Sequence, residues 1–439
     1  MLCFSVLAFA MLTPLNNALN APGAYFYDNF SDNLMKSDLV YTRAYGLDGP
    51  WVRYLGPDME FSGREGFRNS AEVEVFTESG EIVPAQEFGV YDSNFCIQRY
   101  GYALVSLLPL SPRGLYMLLA AINVLLLAAT LTGILVWLRM QSDTFTMLAV
   151  LFVVAFLSPI FTNFAPHLYW VPYTWFLPML GMAWAVECKG REMEGRRRYT
   201  LLFWVALATC LFRQAHAFEY ISGVMIAMLL PVLCRLLREA PLRQWRAWVK
   251  ELLWPAAGAL ASFVLAMGGK VIAVLLTLAP GSAPGLAWAA VLENILKSTG
   301  GAETEAHFAA QGYDVSLGGI LRKMLEEGAI VLRSRFSLSF GMVIVLLAIG
   351  TAIALLYRAD EKRRKKNISL FILAWISLFA PMFWFVAGRL HVVDHIKIDL
   401  VVWYLPFMPL ACAALASLAG VPASLLWGRL SAKKTGTKH

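Results

Sequence analysis

Charge is what this chain has least of: Asp, Glu, Lys and Arg together make up 15% of its 439 residues, against 58% hydrophobic ones. A soluble core of that length has no use for repeated apolar runs of eighteen residues or more, so a polytopic helical membrane protein is expected. The six cysteines, Cys3, Cys96, Cys188, Cys210, Cys234 and Cys412, are scattered and form no CxxC pair. That removes a disulfide framework and a zinc knuckle. Neither a glycine-rich nucleotide loop nor a dinucleotide fingerprint occurs. No internal repeat is visible. The apolar opening Met1–Leu19 lacks the basic flank of a signal sequence or cytoplasmic anchor, which leaves room for a start further upstream. It is read as a first span; cleavage would leave the rest in the same orientation.

Apolar runs are what the chain has in quantity. Ten spans are expected, at 1–19, 115–138, 144–166, 168–187, 200–215, 218–237, 251–279, 337–357, 368–388 and 400–427. Alternation then gathers KGREMEGRRR (189–198), RLLREAPLRQWRAWVK (235–250), RADEKRRKK (358–366) and the tail lysines Lys433, Lys434 and Lys438 on one side. By the positive-inside rule that side is cytoplasmic. This placement accounts for the formal charge of +7 without nucleic acid as a partner. The expected fold is all-α, one transmembrane domain over 1–439, with both termini cytoplasmic in a multi-pass protein of the cytoplasmic (inner) membrane.

Two large external loops interrupt the spans. The first, 21–113, carries thirteen acidic residues against seven basic and ends in Tyr102–Leu110, which is too short to cross and is expected in the interface. The second, 280–336, carries amphipathic stretches at Leu286–Lys297 and Leu317–Leu332 around a flexible STGGAETE tract. These are expected to lie on the outer leaflet and frame an opening.

The polar chemistry concentrates between spans. Gly388–Tyr404, GRLHVVDHIKIDLVVWY, packs Arg389, His391, Asp394, His395, Lys397 and Asp399 into a gap between two apolar runs. His391, His395 and Asp399 recur every four residues and would share one helical face. Two imidazoles and a carboxylate so spaced suit a divalent metal with an open position for water, although Lys397 would repel the cation. The competing reading puts Arg389, Lys397 and the histidines on a phosphate arriving from the lipid side. Upstream, YFYDNFSDNLMKSD places Asp28, Asp32 and Asp38 just beyond the first span. TNFAPHLYWVPYTWFLP supplies His167, Tyr169, Trp170, Tyr173, Trp175 and Phe176, with three prolines to kink or unwind it. FRQAHAFEY offers Arg213, His216 and Glu219, and Lys270 is the one cation clearly inside an apolar run. All five histidines ahead of the tail fall on the external side, as a solvated outer cavity would explain. Ionisable groups at membrane depth cost about 2.5–3.5 kcal/mol each on insertion scales and so tend to face such a cavity. Each group also has a structural reading. Arg389, Arg213 and Lys270 can snorkel, Asp399 can cap the last span, and the aromatics can form an interfacial belt.

A first span followed at once by an external carboxylate, a long first loop with interfacial segments, many further spans, and basic residues at the outer ends of late spans resemble the C-type (GT-C-like), polyprenyl-phosphate-dependent membrane glycosyltransferases. Leu168–Met179, LYWVPYTWFLPM, is also similar to a segment of bacterial polytopic membrane proteins. The resemblance implies a general base just after the first span, here Asp28 with Asp32 next; Asn29 stands where the family pairs a second acid. On this reading Arg213, Lys270, Arg389 and Lys397, assisted by His391 and His395, hold the donor phosphate, while His167, Trp170, Tyr173 and Glu219 meet the acceptor or sugar. The implied reaction is inverting transfer of a hexosyl or pentosyl unit from a polyprenyl-phosphate-linked sugar to a glycan, lipid or protein acceptor outside the membrane, for cell-envelope glycan or polysaccharide synthesis. A polysaccharide ligase or polymerase differs only in donor. No cofactor follows from it; a divalent metal enters only with the alternative of a metal-dependent membrane hydrolase on His391, His395 and Asp399. A third reading is a transporter or flippase of lipid-linked saccharides, against which stand the scarcity of midplane charge and of paired broken helices.

Overall fold

A computed structural model describes residues 1–13, 29–47, 52–56, 79, 82–90, 96–158, 160–189, 193, 195–239, 245–277, 288–289, 291, 302–332, 336–357 and 360–419. Asp28, residues 14–19, most of Leu286–Lys297 and everything beyond 419 lie outside them. The described chain is mostly helical. In order it forms α1 (Leu2–Leu12), α2 (Asn29–Tyr45), α3 (Gln98–Ser106), α4 (Pro112–Gln141), α5 (Thr144–Phe152), α6 (Tyr173–Trp184), α7 (Gly195–His216), α8 (Ile221–Glu239) and α9 (Trp245–Thr277). The second half holds α10 (Ala302–Ala310), α11 (Leu317–Glu326), α12 (Phe340–Leu356), α13 (Glu361–Ser377), α14 (Phe379–Ala387), α15 (Arg389–Asp394), α16 (Ile396–Asp399) and α17 (Phe407–Ser417).

Local chemistry explains where several of these start. Each helix leaves its first amides without partners, and a short polar side chain one residue ahead can accept from one of them. Ser111 accepts from Gly114 N–H at 3.1 Å to open α4, with Pro112 in the first turn where its missing N–H costs nothing. Asp143 does the same for α5 at 2.8 Å, and Asp360 for α13 at 3.1 Å.

Among the described residues four helices are long and apolar enough to cross a membrane: α4, α8, the Trp248–Leu276 part of α9, and Glu361–Ala387, which joins α13 and α14. A fifth is the pair Ile396–Tyr404 and Phe407–Ser417, bent by 45°. The architecture is therefore that of an all-α membrane protein. The other expected spans are not single long helices: Leu2–Leu12, Thr144–Leu157 and Phe340–Leu356 are apolar but short. α7 has 22 residues, yet arginines in its first turn and Arg213, Gln214 and His216 in its last shorten the apolar stretch between.

Both expected loops contain ordered structure. Val52–Tyr54 pairs with Phe88–Val90, and Gly328–Leu332 with Phe336–Ser339, as two antiparallel two-stranded sheets. Instead of one amphipathic stretch, Leu317–Leu332 is α11 followed by a strand, and the second half of the STGGAETE tract is the start of α10 rather than a flexible linker.

Packing decides two features that position the site. α7 lies so close along α9 that a methyl at Gly258 would fall 2.3 Å from the Phe203 carbonyl oxygen, so only glycine fits there. At one end of the bundle the C-termini of α4 and α8 meet the N-terminus of α13. There Lys366 Nζ donates to the Ser142 carbonyl, Arg238 to Gln141 Oε1, and Gln141 Nε2 to Glu187 at 2.8 Å. Arg198 pairs with Glu251 at 2.8 Å and Arg235 reaches the Val186 carbonyl at 3.4 Å. Basic residues from the 189–198, 235–250 and 358–366 connectors thus sit at helix ends that contact one another.

Candidate functional site

The site is built from two buried carboxylates and the aromatic seam between them. Asp32, on α2, is fully buried and accepts from Tyr116 O–H at 2.7 Å and from Leu168 N–H at 3.3 Å, with the Lys36 ammonium at 3.4 Å. The Lys36 ammonium in turn stands 4.6 Å over the Tyr116 ring. His167 Nδ1 is 3.8 Å from the same carboxylate, beyond hydrogen-bond reach, and His167 is entirely buried. The loop from Ala165 to Pro172 is clamped from three sides: Asn123 donates to the His167 carbonyl (3.1 Å), Tyr102 to the Leu168 carbonyl (3.0 Å) and Gln98 to the Tyr169 carbonyl (3.2 Å). This non-helical turn, with Val171 at φ +44°, is where the proline-rich segment was expected to unwind, and its carbonyls go to protein donors.

From that loop an aromatic seam crosses the bundle. Trp170 stacks on Tyr220 (5.6 Å between ring centroids), Tyr220 meets Trp384 edge-on (5.0 Å), and Trp384 meets His391 edge-on (5.7 Å). Such offset and edge contacts suit the ring quadrupoles. The aromatics read as a belt or a sugar platform are neither at Trp170 and Trp175, which are interior residues.

At the far end of the seam lies Asp399, again fully buried. It accepts from Trp384 Nε1–H at 3.1 Å on one oxygen and bonds His391 Nδ1 at 2.9 Å on the other. Unlike His167, the His391 side chain keeps 15% of its surface exposed. His395 lies edge-on to it, 4.7 Å between ring centroids. The expected continuous helical face does not form: His395, at φ −122° and ψ 39°, separates α15 from α16. The break folds the segment so that His391 and Asp399 meet directly. Among the described residues no three His, Cys, Asp or Glu side chains are gathered to hold a metal, and both Asp399 oxygens already accept from protein donors, so the set does not fit the metal reading.

The expected phosphate-binding cations divide. Arg213 is wholly buried, donating to the Glu219 carbonyl (2.9 Å) and Thr174 Oγ1 (3.4 Å), with its guanidinium 5.9 Å from the Trp175 ring. It braces the turn between α7 and α8. Lys270 is also buried, and its charge acts on Cys96 together with those of Glu219 and Asp38. Burial, reinforced by both carboxylates, holds the Cys96 thiol well above its usual range. Arg389 and Lys397, either side of His391 in the sequence, instead keep partly exposed side chains. Each is met by an acid from the 280–336 segment: Arg389 by Glu305 on α10, and Lys397 by both oxygens of Glu327, at 2.7 and 2.8 Å. Of the expected acceptor residues, His167 and Trp170 are buried, whereas Tyr173 and Glu219 are half-buried, Glu219 accepting from Tyr169 O–H at 3.2 Å.

Comparison with protein-family models, with curated proteins and with solved structures finds no match. The residues themselves must carry the assignment. A third buried carboxylate, Asp38, binds Arg99 at 3.1 Å and accepts from Val52 N–H at 3.3 Å. Burial nevertheless pushes it up to about 6, with Arg99 pulling the other way. Sequence reasoning missed Tyr116, Arg99, Tyr220, Trp384, Glu305 and Glu327. The aromatics carry no signal inside apolar or mixed runs, while the two glutamates, as acids in the 280–336 segment, were available partners for Arg389 and Lys397.

Proposed function

We propose that the chain is a membrane glycosyltransferase that moves a sugar from a polyprenyl-phosphate donor to an acceptor hydroxyl on the extracytoplasmic face of the cytoplasmic membrane. The observation that carries this reading is the 2.9 Å bond between His391 Nδ1 and Asp399, at a partly exposed ring flanked by Arg389 and Lys397. A carboxylate that accepts Nδ1–H leaves the basic lone pair on Nε2 and stabilises the imidazolium formed when that nitrogen takes a proton. As the acceptor oxygen bonds to the anomeric carbon, its proton passes to His391 Nε2. The bond from that carbon to the donor phosphate oxygen breaks, and the electron pair leaves on the phosphate. Arg389 and Lys397 then offset the developing charge, exchanging Glu305 and Glu327 for phosphate oxygens. Asp399 and Trp384 position the base. Asp32, engaged by Tyr116, Leu168 and Lys36, holds the α2 and His167 segments together, so Asp28 is the competing base within the same reaction.

The test is transfer in proteoliposomes supplied with polyprenyl-phosphate-linked sugars and hydroxyl acceptors. The wild type and Asp28→Asn are expected to transfer sugar; His391→Ala is expected to lose transfer while keeping its melting temperature. Activity retained in His391→Ala and lost in Asp28→Asn moves the base to Asp28. Counterflow of lipid-linked sugar without bond cleavage marks a transporter and ends the proposal.

A further inference from the structure

Among the described residues, three other than glycine take left-handed φ angles: Cys96 at 49°, Val171 at 44° and Tyr220 at 62°. A Cβ makes that region costly, and β-branched Val171 is the least suited of the three. All three are buried, and they lie on segments that bond to one another. Cys96 N–H donates to the His216 carbonyl at 3.2 Å, Ile97 N–H to the Ala215 carbonyl at 3.0 Å, and Gln98 to the Tyr169 carbonyl. Such conformations persist only where the surroundings over-determine them, and they cluster at functional sites.

Tyr220 shows what the strain secures. The Arg213 guanidinium holds the Glu219 carbonyl at 2.9 Å, and the next carbonyl, that of Tyr220, accepts from Val224 N–H at 3.0 Å to open α8. The two peptides flanking its Cα are thereby fixed. Glycine would adopt that angle at little cost, yet the position carries a ring. That ring stacks on Trp170, meets Trp175 edge-on at 5.7 Å between centroids, and meets Trp384 edge-on at 5.0 Å. Trp384 is confined by its own segment as well: a methyl at Gly388 would fall 2.9 Å from two carbons of the indole. The indole is therefore seated against both Tyr220 and the Gly388 backbone, with its N–H on Asp399 and its ring 5.7 Å from that of His391.

We propose that Tyr220 is a positioning residue for the His391–Asp399 pair, acting through Trp384, and that the left-handed backbone at Tyr220 serves to place this ring. Arg213, Trp170 and Trp175 hold Tyr220, and Tyr220 holds the indole. The indole N–H takes one Asp399 oxygen, which leaves the other for His391 Nδ1–H. The turn between α7 and α8 thus reaches the His391–Asp399 pair through two rings. The role of Tyr220 in sugar transfer rests on the reading of His391 as the base; the seating of His391 by Tyr220 does not.

The test uses the full-length protein, isotopically labelled at its histidine nitrogens, with the His391 signals assigned by their loss in His391→Gln. Nitrogen chemical shifts report which ring nitrogen carries the proton. The wild type is expected to hold the Nδ1–H form of His391. Tyr220→Leu, which keeps most of the bulk but no aromatic edge, is expected to give a mixture of both tautomers. In the transfer assay the same variant is expected to lower kcat by about 10²-fold, the effect of a misplacement of about 1 Å, with the donor KM little changed. Tyr220→Phe, which keeps the ring, is expected to restore both readings. Gly388→Ala pushes the indole from its seat without altering Tyr220 and is expected to change the tautomer in the same way, so the proposal stays measurable if Tyr220→Leu does not fold. A wild type that transfers no sugar, with a His391 tautomer that still follows Tyr220, ends the transfer reading and supports the positioning. An Nδ1–H form kept in both Tyr220→Leu and Gly388→Ala, or a Tyr220→Phe as impaired as Tyr220→Leu, would overturn it.

Discussion

Asp32 and Asp399 make the same kind of pair in two settings. Both carboxylates are fully buried, both sit near a histidine, and both lie against the aromatic seam, yet one set is closed and the other open. Around Asp32 an ammonium, a phenol and a backbone amide take the oxygens, and the imidazole, 3.8 Å away, has no exposed surface. Around Asp399 one indole and one imidazole take them, and the imidazole reaches the rim. The difference teaches that burial of the carboxylate does not distinguish a strut from a reactive pair. Exposure of its histidine does. A base must meet the proton it removes, so on the proposed reaction only His391, and not the wholly buried His167, can serve as one.

Substitutions that exchange the two behaviours break the comparison hardest. Asp399→Asn keeps an acceptor for Trp384 but no longer favours the Nδ1–H tautomer of His391, and transfer is expected to fall by about 10³–10⁴-fold with little change in melting temperature. A loss of folding instead of activity would make Asp399 a strut like Asp32. Asp32→Ala is expected to do the reverse. It removes the buried carboxylate that meets Lys36 and Tyr116, and breaking a buried pair costs about 3–5 kcal/mol, measured as a lower unfolding midpoint in mild detergent.

The third buried carboxylate sharpens the rule with pH. Asp38 has a folded-state value raised to about 6, above its ordinary value of 3.8, so the folded protein binds the extra proton between those two limits. Its contribution to stability is present at the acid end, declines as pH rises through that window, and is flat above it, by up to about 3 kcal/mol. Unfolding midpoints of the wild type and Asp38→Asn between pH 4 and 7 are expected to differ in slope, with the slope absent from the variant. The smallest effect belongs to the rim. Glu305, 38% exposed, pairs with Arg389 at a site where ion pairs contribute about 0–1 kcal/mol, so Glu305→Gln should barely move stability while lowering the KM for a phosphate-bearing donor a few-fold.

How much of this was legible beforehand follows from what each level of the chain encodes. Long apolar runs announce membrane helices, and α4, α8, α9 and the α13–α14 helix lie where those runs are. The spans that came out short carry their breaks in side-chain packing and in prolines such as Pro172, which precedes α6, rather than in hydropathy. The spacing of His391, His395 and Asp399 pointed at a segment whose members do meet but predicted the wrong geometry, because the helix breaks at His395 and bends the carboxylate back onto the first imidazole. Arg389 and Lys397 were recognisable as unusual cations, whereas their partners, 84 and 70 residues away, are set by tertiary folding. Arg213 and Trp170 show the opposite case: residue types that suggest binding are fully occupied by the interior they hold together.

The most direct test of the contrast between the two histidines needs no substrate. Brief carbethoxylation of the native protein with diethyl pyrocarbonate, followed by peptide mass spectrometry, is expected to label His391 and spare His167, and Asp399→Asn is expected to slow labelling of His391 by withdrawing the lone pair from its outer nitrogen. Equal labelling of His167 and His391, or labelling of His391 that ignores Asp399, would contradict the assignment of that pair as the reactive one.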